Sequence, residues 1–584
     1  MENHMVQSPV YTYPSSCRDC YRCVRVCPVG AIRVSRDVVS VISEECVACG
    51  LCVRECPKGL QRVRSDVERA AELLRSTRRV VVSLAPSWVS EFPYATAGSL
   101  LKALRALGFR QVSEMALGAD MLTSYVAAHY EQHPSPVAFL PVCPAAVDFI
   151  QNRYPHYTPW ILPVASPLLL HARLLRKHFG DDVAVVAVTP CVAQKVEADR
   201  HPEVVDVVLT FAELHSWLLD QGLSARAAAG EGDDAAIEEF EPIPASGGAR
   251  YAMRGGTVEE LQARVAPGAN VRYSVYSGFD SICASLNGLE SWGARGRLIV
   301  ELMACEGGCV NSPVASRQQS LTLRQLALVD SYPIRCALGG PNLISGVDMG
   351  YDYQQKKELQ CEVISAHQIA EQLKRVGQST RRDNSDCGCC GYASCQDFGR
   401  ALCRGKAEPT MCVSYQREVA QGQFDVLFNH MPSGVALVDG SLRILQINWN
   451  LARMLGHSVE LVYDRNPGLE GLSAEQYLPF HRILASVLRS REAELNQDLS
   501  LDGRALSVSV FLVDRFNIVC AIARNLYVND VRSDEIARRA ESLIAKNLTT
   551  VQQIAYLLGE SAAETETVLN SFVESLSMKG ANDG

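Results

Sequence analysis

The chain has 584 residues, 47% apolar and 21% charged, with a net charge of -9. That length exceeds one core and sets an expectation of about four domains of ordinary globular composition, while the acidic balance argues against a nucleic-acid footprint. No apolar run of about 18 residues or more is present, so no membrane span is expected, and Met1-Glu2-Asn3-His4 has neither the basic nor the apolar region of a signal peptide.

The 22 cysteines carry most of the information. Two blocks open the chain, Cys17-x2-Cys20-x2-Cys23-x3-Cys27-Pro28 and Cys46-x2-Cys49-x2-Cys52-x3-Cys56-Pro57. This is the bacterial two-cluster run, in which three cysteines hold one [4Fe–4S] cluster and the fourth ligates the other. On that pattern Cys17, Cys20, Cys23 and Cys56 hold one cluster, and Cys46, Cys49, Cys52 and Cys27 the second. A zinc site would need four tetrahedral ligands, not two interleaved sets of three plus one. Pro28 and Pro57 end each turn, because proline cannot donate to a continuing ladder. Thiolates must stay reduced to bind iron, which sets a cytoplasmic expectation. Residues 1–65 therefore read as a 2[4Fe–4S] ferredoxin domain stapled by its clusters. Between the two runs, Ile32, Val34, Val38, Val39, Val41 and Ile42 suggest a hairpin, and Glu68 to Arg75 a connecting helix.

From residue 79 the pattern changes. Val80-Val-Val-Ser-Leu84, Val137-Ala-Phe-Leu140, Val183-Ala-Val-Val-Ala-Val188 and Leu298-Ile-Val-Glu-Leu302 are short apolar runs, as strands buried on both faces of a sheet would be. Helical periodicity lies between them, as at Leu100, Leu101, Leu104 and Leu107. The alternation predicts an α/β domain, whose ligands sit at strand carboxyl ends. Three of the four runs have a cysteine within a few residues of that end. Ala225 to Glu239 reads as a surface loop and residues 376–386 as a polar linker.

The strand-end cysteines are Cys143 in Leu140-Pro-Val-Cys-Pro144, Cys191 in Thr189-Pro-Cys-Val-Ala-Gln-Lys-Val-Glu197, and Cys305 and Cys309 in Met303-Ala-Cys-Glu-Gly-Gly-Cys309. Composition alone gives only four strand-end cysteines, of the kind that a four-thiolate cluster site would use. Their local sequences resemble the three signature loops of [FeFe]-hydrogenase catalytic domains, over residues 79–375, together with Ser83-Leu-Ala-Pro-Ser87, Gly118-Ala-Asp120 and Ser166-Pro167. The resemblance implies a [4Fe–4S] cluster on these four cysteines, with Cys309 bridging to a diiron subcluster and Met303 packed against it. Gly307 and Gly308 would let the backbone approach the cluster.

The sequence departs from that family at several places. The proton-relay cysteine that precedes the first ligand is Val142 here, which carries no proton. The lysine of the second loop is Gln194, with Lys195 one place on, while Glu197 is retained. The third loop continues as Asn311-Ser312-Pro313, not into glycines. The stretch after Asp120, Met121 to Val126, lacks the paired glutamates of the usual proton path. Gln194, Glu197 and Met303 are thus the residues placed around the diiron unit, with weak activity expected.

A third block, Cys387-x2-Cys390-Gly-Tyr-Ala-Ser-Cys395 followed by Cys412, resembles a small four-cysteine [4Fe–4S] domain over residues 380–415, with zinc as the alternative metal. Cys389 and Cys403 fall outside its pattern. Residues 424–529 resemble a PAS domain, with Asp439-Gly440 at a tight hairpin, Asn448 at a turn into helices, and Leu506–Leu512 and Asn517–Ile522 as closing strands. Its ligand is not legible; His430, His457 and His481 read as surface or packing residues. Residues 530–584 read as a helical tail with near-heptad apolar spacing, suited to a coiled coil, a partner helix, or packing on the PAS domain.

The whole chain, a multidomain α+β and α/β protein, resembles the PAS-containing sensory [FeFe]-hydrogenases. The resemblance implies four [4Fe–4S] clusters, a diiron subcluster, H2 or redox donors, ferredoxin-type electron partners and a downstream regulatory protein. No nucleic acid and no membrane is expected, and the PAS domain and tail offer a route to a homodimer. The alternatives are an [FeFe]-hydrogenase that turns over H2 at useful rates, and a cluster scaffold or electron carrier without diiron.

Overall fold

The computed structural model describes residues 8–15, 17–36, 38–225, 239–245, 247–265, 270–292, 295–332, 345–354, 364–378, 385–491, 494–501, 504–513 and 517–525. The tail, most of the Ala225–Glu239 stretch and most of the 376–386 linker lie outside the described residues. The chain divides into two units, Met1–Gln416 and Arg417–Gly584.

In the first unit, Val10–Thr12 pairs antiparallel with Gln61–Val63, closing the two ends of the N-terminal module. The hairpin foreseen between the cysteine runs is Ile32–Ser35 paired with Val38–Val41. Val29, Ala31, Ile32, Val34, Val39, Val47 and Ala48 form its small buried core. The connecting helix is Val67–Arg75.

The central domain contains β1 (Val80–Leu84), β2 (Gln111–Glu114), β3 (Val137–Leu140), β4 (Ala184–Thr189), β5 (Val207–Thr210), β6 (Val271–Ser277) and β7 (Arg297–Met303). All pairings are parallel, but the strands form two sheets, ordered β2-β1-β4-β5 and β6-β7-β3. The four apolar runs are thus shared between two sheets and not one. Apolar runs report burial on both faces but say nothing of which strand pairs with which. Helices α1 (Ala116–His129), α2 (Pro144–Arg153), α3 (Pro167–Phe179) and α4 (Ala193–Arg200) cover or cap them. Gly118 lets α1 meet the start of α3, because a Cβ there would lie 2.0 Å from the Pro167 carbonyl oxygen. Ser166 caps α3 by accepting from the Leu169 N–H.

In the second unit β8 (Gly434–Val438), β9 (Ile444–Ile447), β10 (Glu494–Leu501), β11 (Arg504–Val513) and β12 (Ile518–Asn525) form an antiparallel sheet ordered β9-β8-β12-β11-β10. Helices between β9 and β10 fill one face around Leu451, Leu469, Phe480 and Leu484. The Asp439-Gly440 connection is not a two-residue hairpin. The turn runs from Asp439 to Arg443, because the Asp439 carboxylate collects the Ser441 and Arg443 N–H groups and stabilises a longer loop. Strand β10 has alternating polar residues and was not foreseen. Among the described residues no helix is long and apolar enough to cross a membrane.

Candidate iron–sulfur sites

The central cysteines stand at the carboxyl ends of three parallel strands. Cys143 follows β3 and caps α2, Cys191 follows β4, and Cys305 and Cys309 follow β7. Strands β3 and β7 are neighbours in one sheet, while β4 belongs to the other. The site therefore lies where the carboxyl ends of the two sheets converge. The Ala304 N–H donates to Cys143 Sγ at 3.5 Å, and the Cys191 N–H donates to Thr189 Oγ1 at 3.2 Å.

Burial pushes every one of these thiols up, Cys191 to about 12, and each is pushed further by its neighbours. For Cys305 burial is followed by repulsion from Cys309, Cys143 and Cys191; for Cys309, by repulsion from Cys191 and Cys143. Four mutually repelling thiols without a counter-charge are costly as thiolates. A cationic cluster removes that cost, since metal binding deprotonates its sulfur ligands. The donor set fits an iron–sulfur cluster on chemical grounds.

The N-terminal module repeats one arrangement twice. The Asp19 N–H donates to Cys17 Sγ and the Ala48 N–H to Cys46 Sγ, both at 3.4 Å. The Ala31 N–H donates to Cys27 Sγ and the Leu60 N–H to Cys56 Sγ, both at 3.2 Å. Positive φ recurs in register at Asp19 and Tyr21, and at Ala48 and Gly50. Cys23, pushed to about 12 by burial, also feels Cys17, Cys20 and Cys56. Cys52, likewise raised by burial, feels Cys49, Cys27, Cys46 and Cys23. The module thus places Cys23 near Cys17, Cys20 and Cys56, and Cys52 near Cys49, Cys27, Cys46 and Cys23. Cys17, Cys20, Cys23 and Cys56 all line one cavity of about 480 Å³.

In the third block Cys390, raised by burial, feels Cys387 and Cys412, and Cys395 also feels Cys412. The Cys395 N–H donates to Asp386 Oδ1 at 2.6 Å. Cys389 is exposed. Among the described residues, no three His, Cys, Asp or Glu side chains converge as ligands of a single metal ion would.

Around the central quartet, Val142 is 2% exposed and apolar. Gln194 accepts from the Thr189 hydroxyl, and its amide nitrogen lies 3.9 Å from Met115 Sδ. Lys195 points elsewhere, into a buried ion pair with Asp66. Glu197 is buried and pushed up to about 7 by desolvation. One of its carboxylate oxygens has no hydrogen-bond partner. It lines a cavity of about 270 Å³ with Asp148, Arg200, His201 and Tyr351. Met303 is buried at the end of β7.

The glycines of the third loop also meet the chain itself closely. Gly307 and Gly308 have φ of +81° and +101°. A Cβ on Gly308 would lie 2.6 Å from Met253 Cα, and one on Gly307 2.8 Å from Leu321 Cδ2. A side chain at either position would collide with the chain. Three other residues of the site escaped sequence reading. Tyr251 donates its hydroxyl to Met115 Sδ at 3.2 Å. Glu301 accepts from the Gly255 and Val258 N–H groups at 2.7 and 3.1 Å. A carboxylate inside the apolar run 298–302 was the available signal for Glu301; Tyr251 and Met115 had none.

Residues 78–313 match the family described as iron only hydrogenase large subunit, C-terminal domain. Residues 16–60 match the 4Fe-4S dicluster domain, and residues 383–414 the family described as "Putative Fe-S cluster". Iron hydrogenase 1 of Clostridium pasteurianum is 26% identical over 321 residues, covering 45% of this chain and 54% of that protein. The cytosolic Fe-S cluster assembly factor NAR1 of Yarrowia lipolytica is 30% identical over 104 residues, 17% of this chain and 21% of that protein. The chain thus spans about half the length of the first and a fifth of the second. Among solved structures, apo [FeFe]-hydrogenase HydA1 from Chlamydomonas reinhardtii is similar at 20% identity and a TM-score of 0.39, over 48% of this chain and 93% of that one. On its matched domains, the chain is a hydrogenase-like iron–sulfur protein.

Proposed function

We propose that this chain is an H2- or redox-responsive iron–sulfur protein that relays cluster state to a PAS domain and a downstream partner. Each cysteine quartet holds a [4Fe–4S] cluster in this reading: Cys17, Cys20, Cys23 and Cys56; Cys27, Cys46, Cys49 and Cys52; Cys143, Cys191, Cys305 and Cys309; and Cys387, Cys390, Cys395 and Cys412. Cys309 would also hold a diiron subcluster, which would supply the H2 chemistry. The sheet order β9-β8-β12-β11-β10, with its helices inserted between β9 and β10, supports the PAS assignment of the second unit.

The observation that carries the sensory reading is Val142. It is buried directly before Cys143, where a fast enzyme would carry its proton relay. An isopropyl group neither accepts nor donates a proton. Gln194 adds no charge and is engaged by Thr189 and Met115. These residues bury and position the cluster while leaving proton transfer slow, which suits a protein that reports a state better than one that turns over gas. Gln194 also favours a second reading, a four-thiolate scaffold that carries no diiron centre.

The two readings separate under H2. Protein matured with hydrogenase assembly factors is placed anaerobically under H2, and the visible absorbance of its clusters is followed. Slow bleaching supports the proposed function. Clusters that bleach with dithionite but stay oxidised under H2 support the scaffold.

A further inference from the structure

In sequence, the third cysteine block stands after the central domain. In space it is fastened to the N-terminal module. Gly391, next to Cys390, has φ of +91°. A Cβ there would lie 2.9 Å from the Tyr21 carbonyl oxygen and 3.0 Å from Val24 Cβ. Tyr21 and Val24 lie among Cys20, Cys23 and Cys27. The Cys390 loop therefore packs directly on the Tyr21–Val24 segment of the N-terminal cysteine run, too closely for a side chain at position 391.

Polar contacts lock this approach along residues 25–45. Arg25 Nη2 donates to the Gly388 carbonyl at 3.0 Å. The Val34 N–H donates to the Lys406 carbonyl at 2.9 Å, and the Arg36 N–H to Glu408 Oε1 at 2.6 Å. Lys406 Nζ donates to the Gly30 carbonyl at 3.0 Å and pairs with Glu45. Behind the block, Gly399 gives a close seat to Ile369, whose Cγ2 would be 2.8 Å from a Cβ there.

The central quartet meets the same module at another place. Gly50, next to Cys49, has a Cβ position 3.4 Å from Val192 Cγ2 and 3.5 Å from Pro313 Cβ. Val192 follows Cys191. The N-terminal module thus has one ligand loop against the central site and another against the third block. Electron transfer between clusters decays steeply with the gap between them, so touching ligand loops are what a relay requires.

We propose that electrons pass between the central site and the Cys387–Cys412 cluster through the two N-terminal clusters, which stand between them in the relay. This inference rests on the reading that each quartet holds a cluster. Each transfer oxidises one cluster by one electron and reduces the next by one, with no bond made or broken. The initial donor in the test is dithionite, a low-potential one-electron reductant. The consequence is that the third block reports the state of the N-terminal module, and of the central site only at one remove.

The test is electron paramagnetic resonance on the full, cluster-loaded chain reduced with dithionite. The signal of the third cluster is obtained as the difference between wild type and Cys395→Ser. The expected signal is broadened by magnetic interaction with an N-terminal cluster. That broadening should be lost in Arg25→Glu/Lys406→Glu, and weakened in Gly391→Ala, at unchanged iron content. An isolated, unbroadened signal in the wild type overturns the relay, as does broadening that survives in both variants. Cys395→Ser should also lower iron by about four per chain. An unchanged iron count overturns the four-cluster reading itself, and the relay with it.

Discussion

Lys195 Nζ donates to Asp66 Oδ2 at 2.7 Å, with both side chains sealed from solvent. It donates also to Glu213 Oε1 at 3.0 Å and to the Val208 carbonyl at 2.8 Å. Burial works against the Asp66 carboxylate, yet Lys195, Arg69 and Arg64 together hold it below its ordinary range. Arg64 reaches Asp199 as well, at 2.9 Å. The charge next to Gln194 is therefore committed to tying helix α4, which starts just after Cys191, to the segment leaving the N-terminal module. It cannot replace a lysine at position 194.

Lys195→Met removes the buried ammonium shared by Asp66 and Glu213, leaving Asp66 only the partly exposed Arg64 and Arg69 as charge partners. Breaking a buried pair in this way costs about 3–5 kcal/mol. Denaturant titration of the cluster-loaded protein should show that loss. Stability within about 0.5 kcal/mol of wild type, the size of a neutral surface change, would mean the network is solvated.

Glu197 gives a pH signature. Burial, opposed by Ser166 and Arg200, pushes it from 4.5 up to about 7. The native state then keeps a proton that the unfolded chain has already lost. Its contribution to stability is full below pH about 4.5 and falls as pH rises through about 7. The shift corresponds to about 3 kcal/mol across that window. Glu197→Gln should flatten the decline measured between pH 5 and 7, and an unchanged slope would place the titration elsewhere, with Glu301 the next group to test.

Asn448 organises the second unit. Its Oδ1 accepts from the Val435 and Leu451 N–H groups at 2.8 and 3.0 Å. Its Nδ2 donates to the Phe428 and Ser433 carbonyls at 3.0 and 2.9 Å. Asn448→Ala removes four side-chain hydrogen bonds to the backbone, three of them buried, and should destabilise this unit by about 3 kcal/mol. Circular dichroism melts should shift while the visible absorbance of the clusters does not.

These residues also show what sequence reading reaches. The cysteine sets were legible because cluster ligands must recur at short fixed spacings, and Asn448 because a turn into a helix needs a capping side chain. The apolar runs gave strands but not their partners, so the division into two sheets was invisible. The docking of residues 385–412 on the N-terminal module was equally hidden. It depends on single contacts, such as Gly391 on Tyr21, between segments hundreds of residues apart. The same holds for Lys195, whose partner Asp66 lies 129 residues away in the chain.

Val142→Cys places a thiol at the relay position. General acid–base transfer contributes typically about 10²–10⁴-fold, so H2 evolution from reduced dye should rise within that range once diiron content is matched. No gain would locate the barrier further out, along α1, where Asp120 is held by Gly248 and Arg264 and no glutamate follows before Val126.

The central claim is that the Cys143, Cys191, Cys305 and Cys309 quartet carries a diiron subcluster at Cys309. An infrared spectrum of anaerobic protein, matured with hydrogenase assembly factors, tests it most directly. The account predicts bands in the CO and CN stretching regions that are absent from Cys309→Ala. A spectrum without them, on protein whose iron content accounts for all four clusters, would contradict it.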